Sequence, residues 1–160
     1  NEDLVRLLLG YGADPTANNN EAIQRASRNG HEGVVRLLLG DKRVNPAADY
    51  NFAIQMASEN GHEGVVRLLL DDDRVDPTAR DNYAIQWASL KGREDVVRVL
   101  LQNRRVAESV SKETLDEIAN KFEDLRELVE QIRIRRERPF DPNDAGERPP
   151  KSLKNKLVLF

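Results

Sequence analysis

The sequence predicts an all-α solenoid of tandem helical hairpins, and three observations carry that prediction. Ala22-Ile23-Gln24 recurs as Ala53-Ile54-Gln55 and again as Ala84-Ile85-Gln86, a fixed period of 31 residues. Of the 25 positions from Ala22 to Pro46, 20 are identical in Ala53 to Pro77. Within each period, two apolar stretches of helical spacing are divided by a glycine: Gly30, Gly61 or Gly92. A unit this short cannot bury its own apolar face, so neighbours stack into one continuous interior and leave a long free surface.

Each unit opens on an asparagine, Asn20, Asn51 or Asn82, placed to cap a helix with its side-chain oxygen. The first helix is predicted over about residues 21–29, 52–60 and 83–91, with Ala22, Ile23 and Ala26 and their equivalents facing neighbouring helices. The glycine ends it, because glycine tolerates the left-handed backbone of a helix terminus. The second helix carries Val34, Val35, Leu37, Leu38 and Leu39, repeated at Val65 to Leu70 and more loosely at Val96 to Leu101. An apolar face so wide, broken chiefly by Arg36, Arg67 and Arg98, belongs between neighbours and forms the spine. Pro46 and Pro77 close the units and extend the chain into the next turn.

After Val106 the period lapses. Residues 112–136 hold no Gly or Pro and place Leu115, Ile118, Phe122, Leu125, Val129 and Ile132 at spacings of three and four. Two structures fit: a terminal cap, or one projecting helix of about 25 residues that meets a partner or a coiled coil. The cap is favoured, because an open end would leave Val97, Leu100 and Leu101 partly wet. The resulting division is a half repeat over 1–17, repeats over 18–48, 49–79 and 80–106, a helical cap over 107–136, and an extended, proline-containing basic tail over 137–160.

Formal net charge is -3, but it is divided: residues 1–132 carry -7 and residues 133–160 carry +4. The absence of cysteine excludes disulfides and thiolate chemistry and suits a reducing compartment, so the expectation is cytoplasm or nucleus. No apolar run approaches the roughly 20 residues that span a bilayer, and membrane insertion is not expected. The chain starts at Asn1 within a helical pattern and without an initiator Met, so it is expected to be a piece of a longer protein.

The order helix, Gly-His, Val-Val-Arg-Leu-Leu-Leu, Asp-Pro resembles the ankyrin repeat. The likeness rests on Gly30 to Leu39, on Gly61 to Leu70, and on Gly12-Ala13-Asp14-Pro15 after Glu2 to Leu9, and it covers about residues 1–106. The short alanine-isoleucine variety is similar to arrays frequent in large DNA viruses and in some protists. The resemblance implies an interaction scaffold, with one or more protein partners bound on the concave side and neither cofactor nor small-molecule substrate. Two departures stand out. Glu21-Ala22-Ile23-Gln24, Phe52 to Gln55 and Tyr83 to Gln86 replace the family's Thr-Pro-Leu-His, so the glutamines are expected to take over the histidine's bracing bonds. The runs from Asp49 to Ala53 and from Asp81 to Ala84 leave room only for stubby fingers or turns.

The candidate binding residues form a column that varies while its surroundings stay fixed: Arg25, Met56, Trp87, with Arg28, Glu59, Leu90 one turn on and Glu21, Phe52, Tyr83 one turn back. By the resemblance they line the concave side, where Phe52, Met56, Tyr83, Trp87 and Leu90 make an apolar strip of the residue types that dominate interfaces. Hydrophobic anchoring is assigned to Met56 and Trp87, and partner selection to Arg25, Arg28 and Glu59. Competing explanations are that Phe52 and Tyr83 staple their helix starts, or that the chain's last residues, Leu157, Val158, Leu159 and Phe160, dock on the strip.

Other tempting groups read as structural. His31 and His62 are each followed by glutamate, but equivalent positions on stacked helices lie roughly 8–10 Å apart, whereas zinc ligands each approach the ion to about 2.1 Å. No metal site is expected, and the resemblance gives these histidines a loop-tying role. Asp71-Asp72-Asp73 reads as a solvated loop, and no catalytic motif is present. Arg133, Arg135, Arg136 and Arg138 could touch phosphates, but without interleaved aromatics they read as a solvated helix end. Two alternatives to the scaffold remain: a structural subunit of a large assembly with its tail on a neighbour, and nucleic-acid contact through the basic tail.

Overall fold

The computed structural model describes residues 1–138. Helix α1 (Glu2–Gly10) is a leading half unit, followed by the hairpins α2 (Ala17–Arg28) with α3 (Glu32–Leu39), α4 (Ala48–Asn60) with α5 (Glu63–Leu70), and α6 (Ala79–Leu90) with α7 (Glu94–Gln102). A divergent end follows: α8 (Arg104–Ser109), α9 (Lys112–Lys121), a single 3-10 turn (Glu123–Leu125) and α10 (Arg126–Glu137). The helices form two rows, with α2 on α4 on α6 in one and α1 on α3 on α5 on α7 in the other. No strand occurs among the described residues, so the fingers are turns.

The period explains the core. Ile23, Ile54 and Ile85 from the first row meet Leu38, Leu69 and Leu100 from the second, and each is 1% exposed or less. Full burial of such a side chain contributes about 1.5–3 kcal/mol. The same cluster runs without interruption into Val106, Leu115, Ile118, Leu125, Val129 and Ile132. The divergent end therefore shares the interior of the repeats, and Val97, Leu100 and Leu101 are fully covered. The single-helix alternative gives way to a helix pair, because the chain turns extended at Phe122 (φ -119, ψ 103) and α10 folds back on α9.

The asparagines do something other than the capping expected of them. Asn18 to Asn20, Asp49 to Asn51 and Arg80 to Asn82 each have φ between 52 and 65°, three consecutive residues in the left-handed region. The right-handed helices therefore begin at Glu21, Phe52 and Tyr83, as the sequence predicts, but each is entered through a left-handed turn closed by bonds such as Asn20 N–H to the Thr16 carbonyl (2.9 Å). An L-residue held left-handed costs about 1–2 kcal/mol, least for Asn and Asp, and seven of these nine residues are Asn or Asp. No side chain caps α2, α4 or α6. Instead the buried Asn20 and Asn51 accept the backbone N–H of Asn45 and Asp76 across to the next turn, both at 2.7 Å.

The glutamines serve the same turns. Gln24, Gln55 and Gln86 donate to the carbonyls of Asn19, Tyr50 and Asp81 at 2.9, 2.6 and 2.6 Å. Each carbonyl belongs to the middle residue of a left-handed turn. The bracing expected of glutamine is thus made within a unit, not between units.

Candidate functional site

Because the first-row helices start in step, their equivalent side chains line up from α2 through α4 to α6. On α6 the spacing of four from Tyr83 through Trp87 to Lys91 places these residues along one side, and Arg80 reaches them from the left-handed turn before the helix. The Tyr83 and Trp87 rings stack with centroids 5.4 Å apart and planes 29° from parallel. The Arg80 guanidinium lies 5.8 Å from the centre of the Tyr83 ring, and Lys91 Nζ lies 5.7 Å from that of Trp87. Both rings are half-buried, and Leu90 beside them is 65% exposed. Arg80 and Lys91 are site residues that the sequence reading missed; the position of Lys91 one helical turn from Trp87 was signal enough, whereas Arg80 reaches Tyr83 only through the left-handed turn.

The remaining predicted residues separate into surface and interior. Arg25 is exposed and bonds Glu21 (2.7 Å), whose carboxyl is held below its usual range by the Asn18 amide and by Arg25. Arg28 is exposed; its backbone carbonyl is taken by His62 Nε2 at 2.9 Å. Phe52 is half-buried, and the Glu59 carboxylate lies 4.0 Å from Lys91 Nζ. Met56 departs from expectation: it is 6% exposed and offers no accessible anchor. It stands on the middle helix of the row, flanked by α2 on one side and α6 on the other, whereas Trp87 stands on the last. Leu157, Val158, Leu159 and Phe160 lie outside the described residues.

Of the groups expected to be structural, His62 and not His31 ties one unit to the next; the His31 side chain is exposed and makes no hydrogen bond or ion pair among the described residues. His62 on the Arg28 carbonyl has its counterpart one period later in Arg93, whose Nε donates to the Glu59 carbonyl at 3.1 Å. Asp72 is not simply solvated: Arg74 binds it through two N–H groups at 2.9 and 2.7 Å and reaches the Val44 carbonyl of the preceding turn at 2.7 Å. Within the basic cluster, Arg133 pairs with Asp116 and Glu130, and Arg136 donates to the carbonyls of Ala107 and Val110. Among the described residues no cluster of three or more His, Asp or Glu could hold a metal, and no helix is long and apolar enough to cross a membrane.

Residues 1–39 match a family model described as ankyrin repeats (many copies), and residues 43–113 match one described as ankyrin repeats (3 copies). No curated protein and no solved structure matches the chain.

Proposed function

We propose that this chain, which belongs to the ankyrin repeat family, is a non-catalytic scaffold that holds a protein partner against the row formed by α2, α4 and α6. Ankyrin repeats generally mediate protein–protein interaction, so the partner class follows from the family, while the choice of face is our own reading. The supporting observation is the stacked, half-exposed Tyr83–Trp87 pair with Leu90 standing clear of the surface. Rigid aromatic area beside an exposed aliphatic group is where interface energy concentrates, because little side-chain entropy is lost when it is covered. Tyr83, Trp87 and Leu90 supply the affinity, Phe52 extends the apolar strip, and Arg25, Arg28 and Glu59 select the partner. The site of action we propose is the cytoplasm or nucleus.

Trp87→Ala removes the largest part of the anchor and is expected to weaken partner binding by about 2 kcal/mol or more, as hot-spot truncations do. Crosslinking and quantitative capture of native partners by the parent and variant chains measure this. Equal capture by both chains overturns the assignment.

A further inference from the structure

We infer that Asn29 and Asn60 are sites of spontaneous deamidation, held back by the folded bend between the two helices of a hairpin and released by its local opening, Asn29 first. Asn29-Gly30 and Asn60-Gly61 are the two Asn-Gly pairs of the chain, at equivalent places in successive units, whereas the third unit has Lys91-Gly92. A glycine nitrogen has no side chain beside it to obstruct its approach to the neighbouring amide carbon. Both asparagines are exposed, at the ends of α2 and α4, so water reaches them.

The step needs only water. The Gly30 nitrogen attacks Asn29 Cγ, a C–N bond forms, and the Cγ–Nδ2 bond breaks; the Nδ2 group leaves as ammonia with the proton that the glycine nitrogen gives up. A five-membered succinimide remains. Water opens that ring at Cγ to give aspartate, or at the main-chain carbonyl to give isoaspartate, in which the main chain runs through the former side chain. Either way a neutral amide becomes a carboxylate.

The folded bend opposes that closure. The ring needs the Gly30 nitrogen on the same side of the Asn29 Cα–C bond as Cβ, but a ψ of 1° sets it beside the nitrogen of Asn29 instead. Turning it breaks the bond from Gly30 N–H to the Ser27 carbonyl (3.3 Å), and Asn29 Nδ2 must release the Arg25 carbonyl (2.8 Å). Asn60 is tied alike, through Nδ2 to the Met56 carbonyl at 2.8 Å and through Gly61 N–H to the Ser58 carbonyl at 3.2 Å. The reaction therefore runs through local opening of the helix end, at a rate set by how often that end opens. Helix α4 lies between α2 and α6 and buries Ala53 and Met56, while the equivalent Ala22 and Arg25 of α2 are exposed. Fewer contacts hold α2, so Asn29 reacts first. Its product falls on a joint between units. A carboxylate at the end of α2 meets the negative end of the helix dipole. Isoaspartate also lengthens the main chain beside Gly30, where even a Cβ would stand 2.5 Å from His62 Nδ1, and so displaces His62 from the Arg28 carbonyl.

The test keeps the full chain in mildly alkaline buffer, folded in one sample and unfolded by urea in another. Intact mass counts the amides lost, and peptide mapping with isoaspartate detection places them. Conversion at Asn29 and Asn60 is expected to be slower in the folded chain by about tenfold or more, as protection by local structure requires. Asn29 should lead Asn60 when the chain is folded and keep level with it in urea. Asn29→Gln, whose longer side chain closes the ring poorly, should remove the earlier product and leave the later, with circular dichroism confirming that the helices persist. Over the interval in which Asn29 converts, the His62 ring resonances should shift in the parent chain and stay in Asn29→Gln. Equal rates in the folded and unfolded chains, Asn60 ahead of Asn29 in the folded chain, no conversion at either residue in urea, or His62 resonances unmoved by conversion of Asn29 overturns the inference.

Discussion

The joint between the first two repeats and the joint between the third repeat and the divergent end make the same connections with different residues. In the first, Asn20 accepts the backbone N–H of Asn45, His62 meets the last carbonyls of α2, and Arg74 reaches the Val44 carbonyl. In the last, Asn82 accepts the Ser109 hydroxyl (3.0 Å) and Lys121 Nζ meets the Ser89 and Leu90 carbonyls at the end of α6 (2.5 and 3.0 Å), while within the divergent end Arg136 reaches Ala107 and Val110. What persists is the acceptor. Every helix ends in carbonyls without an internal partner, and the dipole there favours whichever cation the next unit brings. Donors can then change from imidazole to guanidinium to ammonium without loss of the joint.

The comparison is sharpest at the asparagines. Asn51→Ala removes a residue suited to the left-handed region and orphans the Asp76 N–H, so it should cost about 2–3 kcal/mol. Asn82→Ala should cost less, about 1–2 kcal/mol, because the Ser109 hydroxyl already bonds the Arg105 carbonyl at 2.8 Å and keeps a partner. Urea denaturation of the two variants decides the order, and equal losses would mean that the two joints are equivalent in energy as well as in form.

Gly30 and Gly92 offer a second pair, nearly matched in backbone with φ of +73 and +72. A Cβ on Gly30 would stand 2.5 Å from His62 Nδ1, whereas one on Gly92 meets nothing within 4 Å. Gly92→Ala should therefore lose only the conformational cost of about 1–2 kcal/mol, and Gly30→Ala should lose more and displace His62 from the Arg28 carbonyl. Thermal melts compare the losses, and the His62 ring resonances report the displacement.

Acid should separate the joints as well. The Arg43 side chain and backbone N–H pull the Asp41 carboxyl from its ordinary 3.8 down to about 2, and Arg74 lowers Asp72 in the same way. A carboxylate lowered by folding stabilises the fold in full above its unfolded value and ceases to do so as pH falls through its folded one. The first turn should therefore loosen between pH 3.8 and about 2, and the second as pH falls below 3.8. In the third turn Asn103 occupies the equivalent place, accepting the Arg105 N–H at 3.1 Å, and does not titrate. The amide chemical shift of Arg43 should move across that window, and that of Arg74 below pH 3.8, while that of Arg105 stays. Asp41→Asn should abolish the shift at Arg43.

The smallest effect is expected at Ser58, a buried hydroxyl without a hydrogen-bond partner among the described residues, as is Ser27. Ser58→Ala should leave stability unchanged or raise it by up to about 1 kcal/mol, since an unsatisfied buried polar group opposes folding. A loss would reveal a bond that the hydroxyl makes in solution.

Much of the fold was legible because it rests on periodicity. Val34 to Leu39 and their copies mark the second row, Gly30 and Gly61 mark the bends, and the structure has helices where these signals lie. The left-handed turns were missed because Asn and Asp suit both a helix cap and a positive φ, and only the three-dimensional partner of Asn20 tells the two apart. Of the candidate site, the aromatic pair on α6 was readable from spacing. The burial of Met56 was not, since it depends on having a neighbour helix on each side. Lys121 and Arg136 were likewise opaque, because the carbonyls they meet lie 26 to 32 residues away.

The glutamine that braces each left-handed turn travels with the turn, five residues from the carbonyl it satisfies. A genetic duplication or excision of whole 31-residue blocks therefore carries the awkward backbone and its remedy together, while an insertion of a few residues between them would part the two. Changes of length in this protein should accordingly be tolerated in steps of a full block.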